Sequence, residues 1–161
     1  MDGSQIQLFN HAAEGNNEKF FFEQYRIYVE LVDRISQRRA LANSFYITAN
    51  AALMTVLSWF KKDFGTHICL ISAIGIIIAV SWFFSIRSYE QLNRDKFKVI
   101  CEIEKQLPLN LFACEWFILK EGKSYNTYWP LSRIERYVPL TFVLSYVMFG
   151  VLNYAECLGG N

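Results

Sequence analysis

The sequence predicts an all-α membrane protein with three transmembrane helices. The first two form a long hairpin extended into the cytoplasm, and short cytoplasmic helices follow it. Three observations predict this. Of 161 residues, 53% are hydrophobic and only 19% charged, against about a quarter charged in an ordinary soluble domain. The apolar excess gathers in three blocks, Asn43–Phe60, Ile68–Ile86 and Val138–Tyr154, none of which contains Lys, Arg, Asp, Glu or His. The basic residues, in turn, fall almost wholly on one side of those blocks. A nucleic-acid-binding module, a disordered tail and a disulfide scaffold are excluded as first readings. A net charge of +1 gives no bulk reason for a polyanionic partner.

Residues 1–16 read as a flexible polar lead, and 17–155 as a single helical membrane domain. The lead lacks a basic n-region, so no cleavable signal is expected. From Asn17 onward, Phe21, Tyr25, Tyr28, Val32 and Ile35 recur in steps of four and three, the spacing of a helical stripe. Phe20, Gln24, Ile27 and Leu31 widen it. Glu30 stands four residues before Arg34, as helices favour. No Pro or Gly interrupts 17–60, so one helix about 65 Å long should run from cytoplasm into membrane. Two partners fit its stripe: the protein's own second cytoplasmic helix, or copies of the same helix.

The first span, about 43–60, mixes Asn43, Ser44, Thr48, Asn50 and Thr55 among Leu, Met, Val and Ala. A short loop, Lys61–His67, joins it to Ile68–Ile86, which offers about 28 Å of wholly apolar helix for a hydrocarbon core of about 30 Å. A helix apolar all round needs lipid or a larger protein around it. The second span continues as a cytoplasmic extension, Arg87–Leu107, stopped by Pro108. Tyr89, Leu92, Val99, Ile100, Ile103 and Leu107 form its apolar face, with Glu90, Arg94, Lys98, Glu102 and Lys105 on the charged one. Asn110–Lys120 should be a short helix capped by Asn110 and stopped at Gly122. EGKSYNTYWP reads as a loop, and Leu131–Tyr137 as a juxtamembrane helix. The third span is about 138–154, with Pro139 either at a new helix start or at a kink. Residues 156–161 are a tail.

Basic residues orient the hairpin. Five Lys or Arg precede the first span, two lie between spans one and two, nine between spans two and three, and none after the third. The positive-inside rule then puts the N-terminus, 17–42 and 87–137 in the cytoplasm, and the 61–67 loop and C-terminus outside. Arg34, Arg38, Arg39 and Arg87 fall at the inner lipid surface, where topology and snorkelling explain them more simply than specific lipid recognition.

Catalytic groups are few. His11 and His67 stand in no motif, and Glu102 pairs more naturally with Lys105 than with Glu104 and Glu115 in a carboxylate cluster. Nucleophile-elbow, phosphate-loop, zinc-protease and dinucleotide motifs are all missing, and the four cysteines show no metal spacing. No enzyme activity, cofactor or metal is expected. The informative polar groups lie in the spans. Asn43 and Asn50 are seven residues apart on one helix face, and amides in hydrocarbon must find partners, either a neighbouring helix or water in a pore. Ser44, Thr48 and Ala52 form a second, small row. Gly75 and Ala79 make a small-xxx-small pair, which is either a helix contact or an accident of composition. None of the three blocks holds an acid or histidine for ion coupling.

The run FEQYRIYVELVDRISQRRALANSFYITAN, then IRSYEQLNRDKFKVICEIEKQLP, with ACEWFIL and IERYVPLTFVLSY after it, resembles the RipA-like family of small octameric integral membrane proteins from bacteria. The resemblance spans roughly 19–155 of the chain. It implies a multi-pass protein of the bacterial cytoplasmic membrane that assembles as a homo-octamer, and it brings no catalytic motif. Two functions follow as expectations. One is a scaffold or docking assembly, with lipids and an unidentified cytoplasmic protein as partners. Tyr25, Tyr28, Val32 and Ile35 would then make cytoplasmic contacts, and Asn43, Asn50, Gly75 and Ala79 contacts in the bilayer. The other is a channel or membrane-permeabilising effector in which Asn43, Thr48, Asn50 and Thr55 face water.

Overall fold

The structure is a computed structural model that describes residues 18–59, 67–119 and 131–159. Five helices follow in order: α1 Glu18–Trp59, α2 His67–Glu104, α3 Leu111–Ile118, α4 Leu131–Glu135 and α5 Tyr137–Gly159. Among the described residues there is no strand. Three of these helices, α1, α2 and α5, are long and apolar enough to cross a membrane.

The α1 helix runs unbroken for 42 residues, about 63 Å, as the absence of Pro and Gly predicts. The α2 helix, 38 residues long, returns beside it and ends at Glu104 rather than at Leu107. The chain there tightens into turns, with Gln106 N–H donating to the Ile103 carbonyl at 3.0 Å and Leu107 N–H to that of Glu104 at 2.9 Å. The expected juxtamembrane helix stops at Glu135, and Tyr137 instead begins the third span. Pro139 lies in the first turn of α5, where its missing N–H would have had no intrahelical partner anyway. It marks a helix start. The α5 helix also continues through Gly159, past the expected end at Tyr154. The expected lead, outer loop and stop at Gly122 lie outside the described residues.

Packing is centred on α2, which is flanked by α1 along its length and by α5 in the membrane part. Leu57, Ile68 and Tyr146 form the buried cluster of the three spans, with Leu53, Met54, Ile71, Ile76 and Phe142 against it. The outward faces of α2 and α5 carry bulky apolar side chains, among them Leu70, Ile77, Phe84, Leu144 and Val151. Such faces suit lipid.

Candidate functional site

The two amides of the first span meet partners from the other helices in two layers inside the three-helix unit. In the deeper layer Asn50 is fully buried. Its side-chain N–H donates to the Tyr46 carbonyl at 2.8 Å. The Tyr146 hydroxyl, from α5, reaches both the Asn50 carbonyl and its side-chain oxygen at 3.2 Å. Gly75 of α2 lies directly under the Tyr146 ring, so that a Cβ there would overlap the ring carbons. The small residue at 75 thus admits the aromatic ring of α5, and Ala79 one turn on is also fully buried. Three helices meet at the Tyr146 side chain, its hydroxyl on α1 and its ring against α2.

In the second layer Asn43 accepts a hydrogen bond from Trp82 Nε1 of α2 at 2.9 Å. The Trp82 ring is stacked on Tyr46, centroids 5.8 Å apart, and lies 6.1 Å from Phe142 of α5. Both amides of the first span are therefore bonded to neighbouring helices of the same chain. Spacing and motif alone do not point to Tyr146 and Trp82. Their signal is a polar atom on a large ring within a span, which requires a partner in hydrocarbon.

Thr48 and Thr55 point elsewhere. They lie with Ser44 on an exposed face of α1, and each hydroxyl bonds the carbonyl four residues back: Ser44 to Ala40, Thr48 to Ser44, Thr55 to Ala51. This face is small and weakly polar, unlike the outward faces of α2 and α5. Local bonding of this kind satisfies the donors without any neighbour.

At the end of α5 where α4 joins it, charge ties the helix to its neighbours. Glu135 of α4 pairs with Arg39 of α1 at 3.7 Å. Arg136, the single residue between α4 and α5, pairs with Glu90 of α2, which also holds Arg94 at 3.2 Å. Arg34 stands 3.9 Å from Glu30, while Arg38 and Arg87 are exposed.

The far end of the hairpin is built around Glu104. This carboxylate is fully buried and accepts three hydrogen bonds, from the Tyr25 hydroxyl at 3.2 Å and from the backbone N–H groups of Phe112 at 3.0 Å and Ala113 at 3.2 Å. It therefore caps α3, whose unbonded first-turn donors and positive end favour an anion. Asn110 makes no side-chain cap bond, so the expected capping residue is replaced by one from α2. Burial, followed by the charge of Glu104 and the hydrogen bond to it, pushes the Tyr25 phenol from 10.0 up to about 12. Val32, in the same stripe, is buried, Lys96 Nζ sits 4.8 Å over the Tyr28 ring, and Ile35 is half-buried. The stripe is thus engaged within the chain. The neighbouring row is not: Phe20, Ile27 and Leu31 are exposed. Lys105 holds Glu102 at 2.7 Å, as the spacing suggests.

Comparison with curated proteins and with solved structures finds no match. A family model described as the octameric membrane protein family (8xMP) matches residues 22–155. That agrees with the octameric membrane family the sequence resembles, over nearly the same residues, although the match does not carry the RipA-like name. With three apolar helices of spanning length and a family match over most of its length, the chain is a multi-pass membrane protein and belongs to the octameric membrane protein family.

Proposed function

We propose that the chain assembles as a homo-octamer in the bacterial cytoplasmic membrane, N-terminus in the cytoplasm and C-terminus outside. There it serves as a non-enzymatic scaffold or docking assembly. The supporting observation is the use made of the intramembrane amides. Asn50 is bonded to Tyr146, and Asn43 to Trp82, so the amides of the first span knit the protomer and are not free to line water. Hydrophobic spans with satisfied amides give a rigid unit that copies can surround without a polar lumen. The half-buried charge pairs at the α4–α5 boundary and the Glu104 cap hold the cytoplasmic part in a fixed attitude to the membrane, which a platform for other proteins requires.

A second reading, a pore, draws on the exposed face bearing Ser44, Thr48 and Thr55. If α1 turned that face to the assembly axis, eight copies would present a hydroxylated wall. One experiment separates the readings. Protein reconstituted in vesicles is assayed for ion flux, alongside native mass spectrometry of the same sample in nanodiscs. The scaffold reading expects eight copies and flux no higher than protein-free vesicles. Flux that Thr48→Leu reduces would replace it with the pore.

A further inference from the structure

We propose that the exposed apolar face of α3 seats on the α1 row Phe20, Ile27 and Leu31 of the next copy, forming the cytoplasmic half of a head-to-tail ring contact. This rests on the self-assembly proposed above. The α3 helix is held firmly but covered poorly. Its N-terminus is bonded to Glu104 and its Phe112 ring packs edge-on against Phe97 of α2 at 5.7 Å. Yet Leu111, Phe117 and Ile118 are 62%, 80% and 64% exposed. An apolar face on a fixed helix, facing water, marks an interaction surface.

Lipid is the wrong cover. Continuous helix from Ile86 to Glu104 places the anchor of α3 about 27 Å beyond the end of the second span, whereas the headgroup layer is only about 7 Å deep on each side. The matching surface is at the same height. Tyr25 is bonded to Glu104, so Phe20, Ile27 and Leu31 lie within about 9 Å of that level along α1. They are turned about a quarter of the way round the helix from the stripe that faces α2.

Copies inserted in one membrane with one orientation are related by an axis along the membrane normal, and rotation about it leaves height unchanged. A closed ring also needs two different surfaces on each protomer, because each copy contacts one neighbour with one face and the other neighbour with another. The α1 row and the α3 face are two such surfaces, both apolar, both outside the bilayer and both anchored at the level of Glu104. A second copy of this chain fits them.

Cys114, exposed on α3, provides the probe. Full-length protein carrying Phe20→Cys, Ile27→Cys or Leu31→Cys is oxidised in membranes and resolved under denaturing, non-reducing conditions. At least one of the three should give a ladder of covalent species extending beyond the dimer, abolished by adding Cys114→Ser. In parallel, Phe117→Glu should lower the copy number in native mass spectrometry while leaving helical content unchanged. The proposal is overturned if the cysteines link only within one chain. It is equally overturned by dimers alone through Cys114 with itself, or by no link in any variant while the wild type is octameric. A wild type found only as monomers would instead remove the self-assembly reading on which the proposal rests.

Discussion

The Tyr146 hydroxyl bonds Asn50 through two acceptors at once, the backbone carbonyl and the side-chain oxygen, each at 3.2 Å. The pair joins the third span to the first across the face of the second. Because one acceptor belongs to the backbone, the two residues are not equally replaceable. Asn50→Ala leaves Tyr146 a partner. Tyr146→Phe removes both bonds and strands the Asn50 side-chain oxygen.

Tyr146→Phe should therefore destabilise more than Asn50→Ala. The scale is that of interhelical bonds in membranes, about 0.6 kcal/mol on average and up to about 1.7. Thermal unfolding in detergent of the two single variants and the double one measures it. Additive effects would mean the two side chains do not interact.

Gly75→Ala should cost more, roughly 1–3 kcal/mol, because the new methyl meets the Tyr146 ring and a packed interior yields only through shifted side chains. Combining it with Tyr146→Leu should recover part of the loss, since the obstructing ring is gone. If Gly75→Ala melts like wild type in detergent, the ring does not occupy that space.

Glu104→Ala should loosen α3 and leave the spans intact. It uncovers the N–H groups of Phe112 and Ala113 and removes the partner of Tyr25, a loss of roughly 1 kcal/mol or somewhat more for part-buried groups left unpaired. Amide hydrogen exchange should quicken across Leu111–Ile118 and stay unchanged in Ile68–Ile86. Faster exchange in both would mean that the tip is not a separate unit.

The same node has a pH signature. Tyr25 is held protonated to about pH 12 in the folded protein against 10.0 for an ordinary phenol. A group raised in this way stabilises the fold fully below pH 10, and that contribution is lost as pH climbs through about 12, since the unfolded chain releases its proton first. The tyrosinate absorbance of wild type minus Tyr25→Phe should titrate near 12. A midpoint near 10 would place the phenol in water.

The thiols offer a test of burial. Cys101 is half-buried, and burial, then the negative charges of Glu104 and Glu102, push its thiol up. Cys114 is exposed. Alkylation followed by peptide mapping at mildly alkaline pH should label Cys114 well before Cys101, because only the thiolate reacts.

Much of the architecture was legible in the residues because hydrophobic length and helical period are local properties. Uncharged blocks marked the spans, and an uninterrupted 17–60 marked a single helix. What could not be read was which faces meet. The spacing of Asn43 and Asn50 put them on one face, but their partners, Trp82 and Tyr146, are 39 and 96 residues away. Gly75 and Ala79 read as either a helix contact or an accident of composition, with nothing to show that a tyrosine ring fills the space at 75. At the tip, Asn110 has the right chemistry and place for a cap, yet Glu104 takes the role. A full negative charge satisfies two backbone donors together, which a single amide oxygen does less well. Tertiary geometry decided each of these.

The amides of the first span, Asn43 and Asn50, are satisfied inside each protomer. An experimental map of the assembly in a lipid nanodisc tests it most directly, through the distance from Tyr146 Oη to the nearest Asn50. The expected result is a hydrogen bond to Asn50 of the same chain, with Asn43 on Trp82 likewise. An Asn50 side chain facing an aqueous lumen, or bonded to a neighbouring copy, would contradict it.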